Sequence, residues 1–89
     1  MVAGASDALY PSDTAARALA DRLARAGKDA TVVEHPNAGH SPFFAGETRP
    51  TPHPDRAWGG EPDADRSLGE AAWTVITQKL GLLQYLRPI

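Results

Sequence analysis

Two residues of this chain carry chemistry by type and by place: Asp7 in "GASDALYPSD" and His40 in "VVEHPNAGHSPFF". Each follows a short apolar run and sits among small residues and turn formers. A carboxylate hydrogen-bonded to one imidazole nitrogen fixes the tautomer and leaves the other nitrogen to take a proton from a nucleophile. That chemistry requires contact between side chains far apart in the sequence. Taken alone, an Asp or a His in a turn is more often structural; the pair, each beyond the end of a strand, is what points to catalysis.

Competing sites are weaker. "GASDA", Gly4 to Ala8, imitates a nucleophile elbow around Ser6. An elbow serine stands where a strand turns directly into a helix. Pro11 would then fall inside that helix, at a cost of about 3 kcal/mol. Ser6 therefore reads as a turn former. His35, His40, His53 and Asp55 offer imidazole and carboxylate, but their spacing fits no metal-ligand pattern, so no metal and no cofactor is expected. Phe43 and Phe44 read as packing beneath the loop that follows His40 rather than as the lining of an acyl pocket.

The elements that must position Asp7 and His40 form an α/β pattern. Met1 to Gly4 is a short strand, so short that Met1 reads as falling inside a longer element. Ser12 is the expected N-cap of the first helix, with Asp13 at the positive end of its dipole. Ala16, Leu19, Leu23 and Ala26 recur on one helical face, and Arg17, Asp21 and Arg25 share the other as i, i+4 partners. Gly27 ends the helix. "ATVVEH", Ala30 to His35, is a β-branched strand expected to be buried on both faces, as in a parallel sheet covered by helices. Strand, helix, strand makes a βαβ unit. In such sheets functional groups lie beyond the carboxyl ends of the strands, where Asp7 and His40 both fall. Residues 41–66 are irregular and rich in Pro and Gly, a length usually kept for function. "SLGE" reads as a capping box at Ser67 and Glu70, opening a last helix that carries Leu68, Ala72, Val75, Ile76, Leu82, Leu83 and Leu86, with Gly81 inside it and Pro88 at its end.

Bulk properties narrow the class. With 89 residues the chain is one domain at most. A net charge of −2 leaves no basic stripe for nucleic acid. The lack of cysteine removes disulfides and thiolate chemistry from these residues. No apolar run approaches the roughly 18 residues of a membrane span. No secretory leader is visible, and the expected location is the cytoplasm.

The residues also resemble a family. "GASDALYPSDTAARALADRLARAGKDATVVEHPNAGH" is similar to the C-terminal catalytic segment of the acyl-CoA thioesterases and bile acid-CoA:amino acid N-acyltransferases, α/β-hydrolases more distantly related to dienelactone hydrolases and prolyl oligopeptidases. The family pattern G-x-x-D-x-x-W-P-S, a distal "rL" in the helix, and "yP-x-A-G-H" fall on Gly4, Asp7, Tyr10, Pro11, Ser12, Arg22, Leu23, Pro36, Ala38, Gly39 and His40. A later Gly-Gly-x-Pro run and a tryptophan fall on Gly59, Gly60, Pro62 and Trp73. Tyr10 stands where the family has tryptophan, and "SPFFAGETRPTPHPD" departs from the family after the histidine. The resemblance implies the C-terminal βαβα portion of an α/β-hydrolase fold: two parallel strands, two main helices and a long Pro-rich loop in one partial domain over residues 1–89. It implies that Asp7 and His40 are the acid and base of a Ser(Cys)-Asp-His triad, in the chain order Ser…Asp…His. The family's G-x-S/C-x-G nucleophile elbow is absent from these residues, so the nucleophile is expected upstream and the substrate is an acyl-CoA or related acyl (thio)ester.

Two other readings stand beside this one. The chain can be a catalytically inactive fragment or small association module, pairing with itself or with an upstream hydrolase half through an open sheet edge. It can also belong to a dienelactone-hydrolase or peptidase-type enzyme.

Overall fold

A computed structural model describes residues 1–44, 46–49, 51 and 57–81. The elements follow in the order β1 (Val2–Gly4), α1 (Ser12–Arg25), β2 (Val33–His35) and α2 (Pro62–Leu80). The strands pair in parallel, with Val2 opposite Val33 and Gly4 opposite His35. Helix α1 packs on β1, and α2 reaches both strands. This is a small α/β arrangement of two parallel strands and two helices. No helix among the described residues is long and apolar enough to cross a membrane.

Several local expectations are corrected. Ser12 is the first residue of α1 rather than its cap: Pro11 takes the cap position, and the Ser12 hydroxyl donates to the Gly4 carbonyl at 3.3 Å. The hydroxyl fastens the helix start to the end of β1 instead of closing its own turn. Gly27 follows the helix in the left-handed region, as expected. Asp21 and Arg25 pair at 2.8 Å, but Arg17 reaches across to Glu34 of β2 at 2.6 Å. Both are exposed pairs, each contributing at most about 1 kcal/mol.

Helix α2 starts at Pro62 rather than Ser67. Proline pre-sets the first helical φ, and Asp63 and Asp65 place negative charge in the first turn. Ser67 is therefore an exposed residue within the helix. Gly81 is the stop, not an interior residue: it takes φ +66 at the C-terminal cap. The expected Leu82, Leu83, Leu86 and Pro88 lie outside the described residues.

The core is thin and made of small side chains. Among the described residues Ala3, Ala16, Ala38, Ala64, Leu68 and Ala72 are the buried hydrophobic side chains, and Leu68 alone among them is large. The strand expected over Ala30 to His35 is confined to Val33–His35, and Val32 and Val33 are half-buried, so this run is not covered on both faces. Leu19 stays half exposed, leaving part of the α1 apolar stripe uncovered. What the small residues provide is close approach. Gly69 of α2 lies against the Phe43 backbone, and a Cβ there would strike the Phe43 carbonyl. The segment after His40 is thereby pressed onto α2, and the Phe44 ring meets Trp73 with centroids 5.4 Å apart. Phe44 is thus a packing residue, but its described ring partner is Trp73 of α2 rather than the loop expected above it.

Candidate active site

Asp7 and His40 are brought together by backbone hydrogen bonds at the carboxyl ends of β1 and β2. The Ala5 amide donates to His35 O at 3.0 Å, and the Ser6 amide to Ala38 O at 2.9 Å. The turn after β1 is therefore stitched to the turn after β2. A third segment joins them. The Trp58 carbonyl accepts from both the Ala8 amide (3.1 Å) and the His40 amide (3.0 Å), using its two lone pairs for the two loops. Asp7 and Gly59 also form an antiparallel bridge.

Glycine makes this meeting possible. A Cβ at Gly39 would strike the Gly59 carbonyl, and one at Gly60 (φ +75) would strike the Gly39 amide. The two segments touch main chain to main chain, a spacing that side chains forbid.

In the resulting site the His40 Nδ1 lies 3.0 Å from Asp7 Oδ2. The Asp7 side chain is 2% exposed and that of His40 40%, so the acid is shielded while the imidazole is open to solvent. Asp7 Oδ1 accepts from the Leu9 amide (2.9 Å) and the Tyr10 amide (3.0 Å). These bonds hold the carboxylate in one orientation, with its second oxygen aimed at the ring. As acceptor, that oxygen selects the neutral imidazole tautomer with the proton on Nδ1. Nε2 is then the basic nitrogen. The Trp58 ring stands beside the imidazole, tilted by 53° with centroids 6.3 Å apart.

Burial alone pushes the Asp7 carboxyl up. The hydrogen bonds from His40, the Tyr10 and Leu9 amides and Ser12 outweigh that push and set it below its ordinary value of 3.8. A lowered folded-state value means that the unfolded chain binds the proton first as pH falls. The Asp7 contribution to stability is thus fully present above the ordinary value of 3.8 and lost as pH falls through the lower folded value. Acid unfolding of the wild type and of Asp7→Asn should show this. The expected result is a stability difference that shrinks as pH drops below that range; a constant difference would contradict the assignment.

The other sequence candidates go elsewhere. The Ser6 hydroxyl donates to Pro36 O at 2.7 Å, and helix α1 does not begin until Ser12. Ser6 is thus a turn residue, as its position before Pro11 implies. His35 Nδ1 accepts from the Asn37 amide at 3.1 Å. Among the described residues no three metal-ligating side chains gather; His53 and Asp55 lie outside the described residues. A groove of about 550 Å³ runs between Met1, Leu23, Ala30, Val75, Ile76 and Leu80. It opens at the N-terminal ends of the strands, away from Asp7 and His40.

Two residues of the site are not singled out by the sequence reading. Trp58 contributes through its backbone carbonyl, which no side-chain pattern reveals; its signal is its place directly before Gly59-Gly60. Asp65 is fully buried in the first turn of α2 and accepts from the Gly39 amide at 2.7 Å. Starting α2 at Ser67 hides it, because Asp65 then falls in a loop.

Comparison with known proteins identifies a family. No individual curated protein matches the chain, and no solved structure does. A family model described as BAAT / Acyl-CoA thioester hydrolase C terminal matches residues 1–81, which takes in both strands, both helices, Asp7, His40 and the Gly59-Gly60 run. The chain therefore belongs to the BAAT / acyl-CoA thioester hydrolase C-terminal family.

Proposed function

We propose that this chain is the C-terminal part of an α/β-hydrolase that cleaves acyl-CoA thioesters, in which Asp7 and His40 serve a serine or cysteine nucleophile carried upstream. The observation that carries the reading is the 3.0 Å contact between a shielded Asp7 carboxylate and an open His40 imidazole. It lies in a chain whose family is named for thioester hydrolysis.

In this reading His40 Nε2 takes the proton of the nucleophile as its oxygen or sulfur bonds to the acyl carbonyl carbon. The tetrahedral intermediate then breaks its bond to the CoA sulfur, and His40 returns the proton to the leaving thiolate. Water, or an amine in an acyltransferase, gives its proton to Nε2 as it attacks the acyl-enzyme, and the nucleophile recovers that proton on release. Asp7 holds the ring in place and offsets the imidazolium charge at both stages. Residues of this chain supply the proton traffic; the attacking atom and the oxyanion donors come from the upstream part.

A joint with that part is consistent with the small core and with Val2, exposed by 40% on β1. A parallel strand added beside β1 would cover it and complete a larger sheet. The test uses the protein that joins this segment to its upstream nucleophile. It is assayed on an acyl-CoA, on an oxygen ester of the same acyl group and on a peptide. Preference for the thioester supports the reading. Preference for the ester or peptide would favour dienelactone- or peptidase-type chemistry, and no turnover of any would favour an inactive association module.

A further inference from the structure

We infer that Asp65 is a positioning residue for His40, acting through the Gly39 amide with Arg49 as its orienting partner. The inference rests on reading His40 as the base. Asp65 is 1% exposed, an unusual place for a carboxylate, and its two oxygens have separate tasks. Oδ1 accepts from the Gly39 amide at 2.7 Å, one residue before His40. Oδ2 accepts from Arg49 Nε and Nη2, both at 3.2 Å, from the segment between His40 and α2.

The peptide units around His40 are thus fixed from two sides. The His40 amide is bonded to Trp58 O and the Gly39 amide to Asp65, while Ala38 O accepts from the Ser6 amide. Ser6 directly precedes Asp7, so the same network sets acid and base relative to each other. A buried ion pair is weak evidence for stability, because removing two charges from water offsets most of their attraction. An apolar residue at this helix position would serve packing as well. It could not accept the Gly39 proton. A small displacement of a reacting group is enough to degrade catalysis, and Gly39 has no side chain with which to anchor its own loop.

The experiment uses the 89-residue chain and reads His40 directly by ¹⁵N–¹H NMR of its imidazole, with circular dichroism as the check on folding. Asp65→Leu removes both acceptor oxygens, the one facing the Gly39 amide and the one facing Arg49. The expected result is an Nδ1–H tautomer in the wild type and a mixture of tautomers in Asp65→Leu. A folded Asp65→Leu chain with the wild-type signature would overturn the inference. Should Asp65→Leu fail to fold, amide exchange decides. Gly39 should be protected in the wild type and exchange about tenfold faster or more in Arg49→Gln, as expected when a hydrogen bond to a charged group is weakened. Rapid Gly39 exchange in the wild type, or no change in Arg49→Gln, overturns it. These readouts need no turnover, so their failure removes the role of Asp65 and leaves the proposed thioester chemistry to its own assay.

Discussion

Replacing His40 with alanine is expected to lower acyl-CoA turnover by the nucleophile-bearing protein on the order of a million-fold, the loss seen when the base of a serine protease is removed. The basis is the role of Nε2. Asp7 occupies the Nδ1 side of the ring at 3.0 Å, so the free nitrogen is the one that must both take and return the proton. Among the described residues no neighbouring group duplicates it: Ser6 is committed to Pro36, and His35 accepts from the Asn37 amide. The substitution should leave the fold in place, because His40 is part-exposed and its structural bond to Trp58 O is made by the backbone. Turnover with saturating acyl-CoA, set beside circular dichroism of the same sample, checks both halves of the expectation. A folded variant with a loss of only a few-fold would remove His40 from the mechanism.

Asp7→Asn should lower turnover about ten-thousand-fold, as the equivalent change does in a serine protease. The structure gives the reason. An asparagine can still accept from the Leu9 and Tyr10 amides through its oxygen, as Asp7 Oδ1 does. Its amide nitrogen then faces His40 Nδ1, and two donors cannot share one bond. The imidazole is driven to the Nε2–H tautomer and can no longer accept a proton from a nucleophile. The packing around the turn is kept, so the deficit should appear in kcat with little change in stability near neutral pH beyond the lost charge interaction. Near-normal turnover would show that Asp7 is a turn former alone.

Much of this site is legible in the sequence because it depends on local chemistry. A β-branched run, a glycine after a helix and a proline ahead of one each act within a few residues. They locate β2, the end of α1 and the turn that bears Asp7. The placement of Asp7 and His40 beyond two parallel strands follows from the order strand, helix, strand. What stays hidden depends on partners far along the chain. Ser12 looks like a cap until the Gly4 carbonyl claims its hydroxyl. Ser67 and Glu70 have the spacing of a capping box, yet Pro62 has already started the helix. Arg17 has an acidic neighbour one helical turn away and pairs with Glu34 instead. The doubly accepting carbonyl of Trp58 and the buried Asp65 belong to a segment that composition marks only as irregular. Val32 and Val33 read as fully covered because such runs usually lie inside larger sheets; here only Val33 joins the two-stranded sheet, and both remain half-buried.

The central claim is that Asp7 acts through His40, and a double-mutant comparison tests it most directly. Turnover of an acyl-CoA would be measured for the nucleophile-bearing protein with Asp7→Asn, with His40→Ala and with both. Groups that work as one unit are far from additive. Once His40 is gone, Asp7 has no ring to orient, so the double variant should be no slower than His40→Ala alone. If the two losses multiplied instead, Asp7 and His40 would be acting independently, and the acid–base pair described here would be contradicted.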